Sequence, residues 1–315
     1  MKYPLALSTC WNSHRHTDGY AMLKEIADMG FSATELSHGI RGSLVPGIRM
    51  AIYEGWIKAT SVHNFCPLPP SVSNAAPNYY LPTSPYKGER YLWVRQTIQT
   101  LHFCHEIGAD RLVLHLGRVF FFFKSPWLRY EAYESQLKKK EGEKYAQKLE
   151  QAREKAAKKL AKAQTRVWSR LRECLEQVVP LAEELGVKLA GENREDPHEV
   201  PVDYEGTRMW TEKLAQMGIG YWHDSGHARV KERDGLIQIV PWLNQVKPHI
   251  LGWHLHDVNE KGKDHQKPGS GTVSFTDLLP FYEPAHALTL ELSPSLPADQ
   301  VLEGAEYLRK VGYPV

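Results

Sequence analysis

The sequence predicts a (β/α)8 barrel with a long basic helical insertion after the fourth strand. Three observations predict it: eight short β-branched or apolar runs, amphipathic helical stretches alternating with them, and a length of 315 residues with 42% apolar content, a little over what one such barrel takes. The chain reads as a single barrel domain over 1–315, with the insertion over 118–166. An open doubly wound sheet competes, but no Gly-rich phosphate loop follows the first strand as that fold favours.

The runs are LALST (5–9), ATEL (33–36), ATSVH (59–63), RLVLH (111–115), VKLAGE (187–192), GYWHD (220–224), LGWHLH (251–256) and ALTLE (287–291). Helical periodicity follows over 20–29, 48–55, 89–107, 167–185, 204–217, 236–246, 275–281 and 298–310. Between the third strand and its helix lies NFCPLPPSVSNAAPNYYLPTSPYKGE, with six prolines and three tyrosines. It reads as a stiffened irregular loop beside the mouth, where Tyr79, Tyr80 and Tyr86 are candidates to stack on the face of a bound ligand. After the fourth strand comes LGRVFFFFKSPW, then a stretch rich in Ala, Lys, Glu and Gln. Its helix propensity extends the fourth barrel helix backward, with Gly142 as a candidate break. Sparse apolar residues there predict a solvated helix. From Tyr130 to Val179 it would run roughly 75 Å at 1.5 Å per residue if unbroken, so it protrudes or bends. Phe120 to Phe123 do not belong in water; they are expected to pack on the mouth, on the arm, or on a second copy or companion subunit.

Composition narrows the function. Cys10, Cys66, Cys104 and Cys174 are dispersed with no C-x-x-C pair, which argues against a disulfide framework or a thiolate zinc site and suits a cytoplasmic protein. No signal-type segment or apolar stretch of membrane-spanning length is present in the sequence. Net charge is +2, yet residues 138–172 alone carry +9, leaving about −7 elsewhere. That background disfavours a nucleic-acid surface.

In such a barrel the chemistry sits at the C-terminal ends of the strands. Here those ends carry His63, His115, Glu192, Asp224 with His227 one turn on, His254 with His256, and Glu291. Asp264 and His265 follow the seventh strand. A single strand-end carboxylate is most often a cap and a single histidine a wall residue; six of eight strand ends bearing ligand types point to a metal centre. His254 and His256 are two apart and face the same side.

AGEN at the fifth strand, HDSGH at the sixth, HLHD with DH and PGSG at the seventh and LELS at the eighth together resemble the xylose-isomerase-like barrels. That superfamily includes sugar isomerases and epimerases and the zinc-dependent apurinic/apyrimidinic endonucleases. The resemblance covers nearly the whole chain outside the basic segment. It implies metal ligands at Glu192, Asp224, His254 and Glu291, with Glu192 and Glu291 as the catalytic pair. His63, His115, His227, His256, Asp264 and His265 are expected to contact substrate or a second metal. The mixed oxygen and nitrogen set suits Mn, Co, Fe or Zn.

The expected function is metal-dependent proton transfer beside a carbonyl of a carbohydrate or polyol derivative: an isomerase, epimerase or keto-sugar lyase. A nuclease-type cluster would use nine ligands, His63, His115, Glu192, Asp224, His227, His254, Asp264, His265 and Glu291. All nine are present, but Asp264 and His265 are adjacent where that pattern spaces them by one, and neighbours on an extended strand point apart. A non-catalytic sugar-binding barrel is the third reading.

Overall fold

In a computed structural model, described for residues 3–70, 72–137, 143–203, 206 and 210–314, eight parallel strands close into a barrel in chain order. They are β1 (Leu5–Ser8), β2 (Ala33–Leu36), β3 (Lys58–His63), β4 (Arg111–Leu114), β5 (Lys188–Glu192), β6 (Gly220–Asp224), β7 (Ile250–Leu255) and β8 (Ala287–Leu290), with β8 paired to β1. Each coincides with an expected run to within two residues at either end. The helices outside them are α1 (Gly19–Asp28), α2 (Val45–Tyr53), α3 (Lys87–Glu106), α4 (Pro126–Leu137), α5 (Glu143–Glu184), α6 (Ser225–Arg233), α7 (Ile239–Val246), α8 (Phe275–Leu278) and α9 (Ala298–Val311). One was not expected, α6, which starts directly on Asp224; α4 covers the first part of the helix expected from about Tyr130 and is a separate element. The helix expected over 204–217 is a short π-turn and 3-10 turn over Trp210–Met217, its first part lying outside the described residues. Gly142 lies outside them too.

Side chains alternate inward and outward along each strand. Outward residues such as Leu112, Leu114, Leu189, Trp253 and Leu255 join the large core beneath the helices, whereas Val113, Ala190, Trp222 and Ala287 fill the lower barrel interior. Trp222 fits there because β7 has a glycine opposite it. A Cβ on Gly252 would come within 2.3 Å of the indole ring. Beneath them, buried Arg111 closes the floor by donating to the Leu251 and Ala285 carbonyls.

Of the two expected courses, protruding or bending, the insertion bends, and in place of a wholly solvated helix it has one dry side. α4 folds back along α5, which spans roughly 63 Å at 1.5 Å per residue and continues through residue 166 into the barrel layer without a break. Ala156, Leu160, Ala163, Val167, Leu171, Cys174 and Val178 form one buried stripe at spacings of three and four. Alanines count as core there because they let neighbouring segments approach closely. Gln164 adds polar ties, accepting from Val202 N–H at 3.1 Å and donating to Asp203 at 2.7 Å. Leu160→Ala should therefore lower the unfolding free energy by about 2–4 kcal/mol. Urea denaturation measures it; a loss near zero would mean the arm is unpacked. Of the four phenylalanines only Phe121 packs on the core, beside His198. Phe122 and Phe123 are almost fully exposed, and Phe120 is 40% exposed.

Candidate metal centre

The same alternation lifts the ligand-type side chains into a layer above the apolar interior. His115 stands two residues above Val113, Glu192 above Ala190, Asp224 above Trp222 and His254 above Gly252, and all four are buried. His254 Nδ1 lies 2.9 Å from Glu192 Oε1, 3.1 Å from Glu291 Oε2 and 3.8 Å from Asp224 Oδ2. These separations bracket the edge of about 3.4 Å expected of a tetrahedron with ligands about 2.1 Å from one ion. Glu291 Oε2 is buried without a hydrogen-bond partner, as suits an oxygen whose partner is a cation. The donor set fits a divalent ion.

His254 is aimed by Glu35, whose two oxygens lie 3.1 Å from its Nε2. Glu35 is itself fixed by Ser8 Oγ at 3.1 Å and Ser61 Oγ at 2.7 Å. With Nε2–H donated to Glu35, Nδ1 is the atom that would bind an ion among the three carboxylates, the arrangement by which outer carboxylates orient metal-binding imidazoles. Burial pushes Glu192 up, but Arg194 and the imidazoles of His115, His227 and His254 hold it well below the usual carboxylate range. Glu35→Gln should weaken divalent-ion binding about 10- to 100-fold. Chelator competition reads this directly, and unchanged affinity would remove Glu35 from the account.

Asp224 has two supports. Its Oδ1 accepts the His227 N–H at 2.7 Å, capping α6, and its Oδ2 lies 2.9 Å from His256 Nε2. His256 Nδ1 accepts the His265 N–H at 2.9 Å, so His256 Nε2–H donates to Asp224. His256 sits close to His227 and His265, but both its nitrogens are engaged and it serves to position Asp224.

Two further groups surround the four. His63 Nδ1 donates to the Asn64 carbonyl at 3.1 Å and His115 Nδ1 to Asn78 Oδ1 at 2.9 Å. Their Nε2 atoms face Glu192 Oε2 at 3.4 and 3.0 Å. Burial, then Arg194, pushes His115 down to about 3, so it is neutral. On the other side His227 Nε2 lies 3.4 Å from Glu195 Oε2 and 3.6 Å from Asp264 Oδ2. Burial and Arg194 lower His227, but Asp224, Glu195 and Glu192 outweigh them and it is pushed up to about 10. His265 adopts φ 52°, the left-handed region, and stacks on His256 at 4.2 Å. That turn brings the adjacent Asp264 and His265 to one cluster, which an extended strand could not do.

All ten sequence-predicted site residues thus meet at the mouth. The stiff loop after β3 reaches it through Asn78, which bridges His115 and Glu199. The tyrosines face elsewhere: Tyr80 packs on Phe65, Tyr79 packs on Tyr80, and Tyr86 is exposed where α3 begins. Glu35, Asn78, Arg194, Glu195 and Glu199 went unrecognised in the sequence. No helix among the described residues is long and apolar enough to cross a membrane.

Residues 23–311 match the family model for the xylose isomerase-like TIM barrel. No curated protein sequence matches. Among solved structures, a D-tagatose 3-epimerase-like protein aligns with a TM-score of 0.65 at 16% identity, covering 99% of this chain and 97% of that one. The 3-keto-D-glucoside 4-epimerase from E. coli gives 0.65 at 14% identity over 98% and 100%. The IolI protein with a binding zinc atom gives 0.62 at 13% over 99% and 100%. At these identities the likeness shows the fold.

Proposed function

We propose, from the premise that the chain belongs to the xylose isomerase-like TIM barrel family, that it is a divalent-metal-dependent isomerase or epimerase acting beside a carbonyl of a carbohydrate or polyol derivative. One observation carries the reading: Glu192 and Glu291 both approach His254 Nδ1, at 2.9 and 3.1 Å, within a buried four-ligand group completed by Asp224. A bound Mn, Co, Fe or Zn ion would supply Lewis acidity to the substrate's carbonyl and neighbouring hydroxyl oxygens, making the adjacent C–H more acidic. Glu192 then takes the proton from that carbon and Glu291 returns one on the opposite face; in an isomerase the proton returns to the neighbouring carbon instead. Burial of the pair excludes bulk water from the transfer. The likeness to a D-tagatose 3-epimerase-like protein and to a 3-keto-D-glucoside 4-epimerase supports a carbohydrate substrate.

A second reading, phosphodiester hydrolysis over several ions, is favoured by the convergence of Asp264 and His265 beside His227. The two readings separate on substrate. Incubating the metal-loaded protein with a panel of free keto-hexoses, keto-pentoses and keto-glycosides should yield epimers or aldose isomers by chromatography. Cleavage of an abasic-site duplex, abolished by His63→Ala or His115→Ala, with no sugar converted, would establish the second reading instead.

A further inference from the structure

We infer that Arg194 is a built-in cation that takes the place of any additional metal ion, so that this crowded mouth binds one ion, at Glu192, Asp224, His254 and Glu291. The inference rests on the proposed metal centre and adds what limits its stoichiometry. Besides the four-ligand group, the mouth holds, among the described residues, three groups with metal-ligand chemistry; in His227, His256 and His265 both nitrogens of His256 are already engaged, which leaves two spare groups, His63 with His115 and Glu192, and Glu195 with His227 and Asp264. A second ion could enter either group if nothing else neutralised it.

Arg194 lies between the two spare groups. Its Nη1 donates to Glu192 Oε2 at 3.2 Å, the same oxygen that His63 and His115 face, and lies 3.3 Å from His227 Nδ1. Its Nη2 pairs with Glu195 at 3.0 Å, and its Nε lies 3.7 Å from Glu199. One guanidinium therefore engages the only carboxylate of the first group and one of the two carboxylates of the second. The side chain is only 12% exposed, and a guanidinium does not release its proton in a protein. Any ion added to either group would sit a few ångströms from a permanent positive charge; the first group is fully buried, so like-charge repulsion is strongest there, while Glu195 and Asp264 of the second are partly exposed. The four-ligand group is spared: the hydrogen bonds of Arg194 among the described residues go to Glu192 Oε2, Glu195 and His227 Nδ1, while Glu192 Oε1 remains on the side of His254.

The Nε2 atoms of His63 and His115 facing Glu192 are what a second ion would use, so the opposite outcome is chemically open and the count decides. Divalent metal per chain is measured by elemental analysis and by native mass spectrometry after loading with Mn2+ or Zn2+ and removing excess. Wild type should hold one ion. Arg194→Met, which keeps the length of the side chain and removes the charge, should hold two or more, the added site tightening by on the order of 100-fold or greater. Arg194→Lys should stay at one. Two or three ions in wild type would overturn the inference, and so would a folded Arg194→Met variant that still holds one. The wild-type count is decisive even where that variant does not fold. A wild-type chain with no ion would instead overturn the metal centre itself, and the inference with it.

Discussion

Glu192→Gln and Glu291→Gln should each slow substrate turnover by about 10²- to 10⁴-fold, the range that positioned acid–base groups contribute. Glutamine keeps the shape and one oxygen for an ion but cannot carry the transferred proton. KM should move far less than kcat, because the interaction lost belongs to the transition state. Both residues need to show the effect, since a two-base epimerisation fails when either face lacks its carboxylate. If only Glu192→Gln were slow, Glu291 would be a ligand alone.

The second large effect concerns the ion. Asp224→Ala and His254→Ala each remove a ligand and leave the remaining carboxylates crowded together, so both should lose bound metal and activity together. Stripping wild type with a chelator should abolish turnover, and re-adding a divalent ion should restore it. Because only the folded chain presents all four ligands, an ion at 100 times its Kd adds about 2.7 kcal/mol to stability. For a barrel of this size that is a rise in melting temperature of roughly 4 °C, which calorimetry with and without metal reads. His256→Ala should show a weaker form of the same defect, since it leaves Asp224 in place but unsupported. Full activity after chelation with no metal detected would refute the ion's role.

Much of this was legible in the sequence because the barrel imposes simple rules. Strands buried on both faces are short and apolar, and the period of two puts the residue ending an inward row at the mouth. That is why His63, His115, Glu192, Asp224, His254 and Glu291 could be assembled from separate runs. Glu35 escaped because β2 ends in Leu36 and its pairing with β3 shifts register between Thr34 and Glu35; inspection of strand ends passes over it. Asn78 comes from an irregular loop whose path no periodicity encodes, and it reaches the site by hydrogen bonds to His115 and Glu199 rather than through the nearby tyrosines. Arg194 follows Glu192 by two residues, beyond the end of β5, where alternation no longer governs direction. The arm was misjudged for a packing reason. Ala156 and Ala163 look neutral in sequence, yet with Leu160 they form the dry stripe of a folded-back hairpin. α6 could have been foreseen, because Asp224 followed by Ser225 is a good helix start and its carboxylate caps the helix.

The most direct test of the central claim is solvent isotope incorporation. Metal-loaded protein is incubated in deuterated water with the sugar that is converted, and the carbon next to the carbonyl is followed by NMR. Deuterium should appear there at a rate at least matching turnover, and incorporation should fall about a hundredfold or more in Glu192→Gln or Glu291→Gln. Conversion without any deuterium at that carbon, or incorporation unchanged in both variants, would contradict proton transfer by this pair.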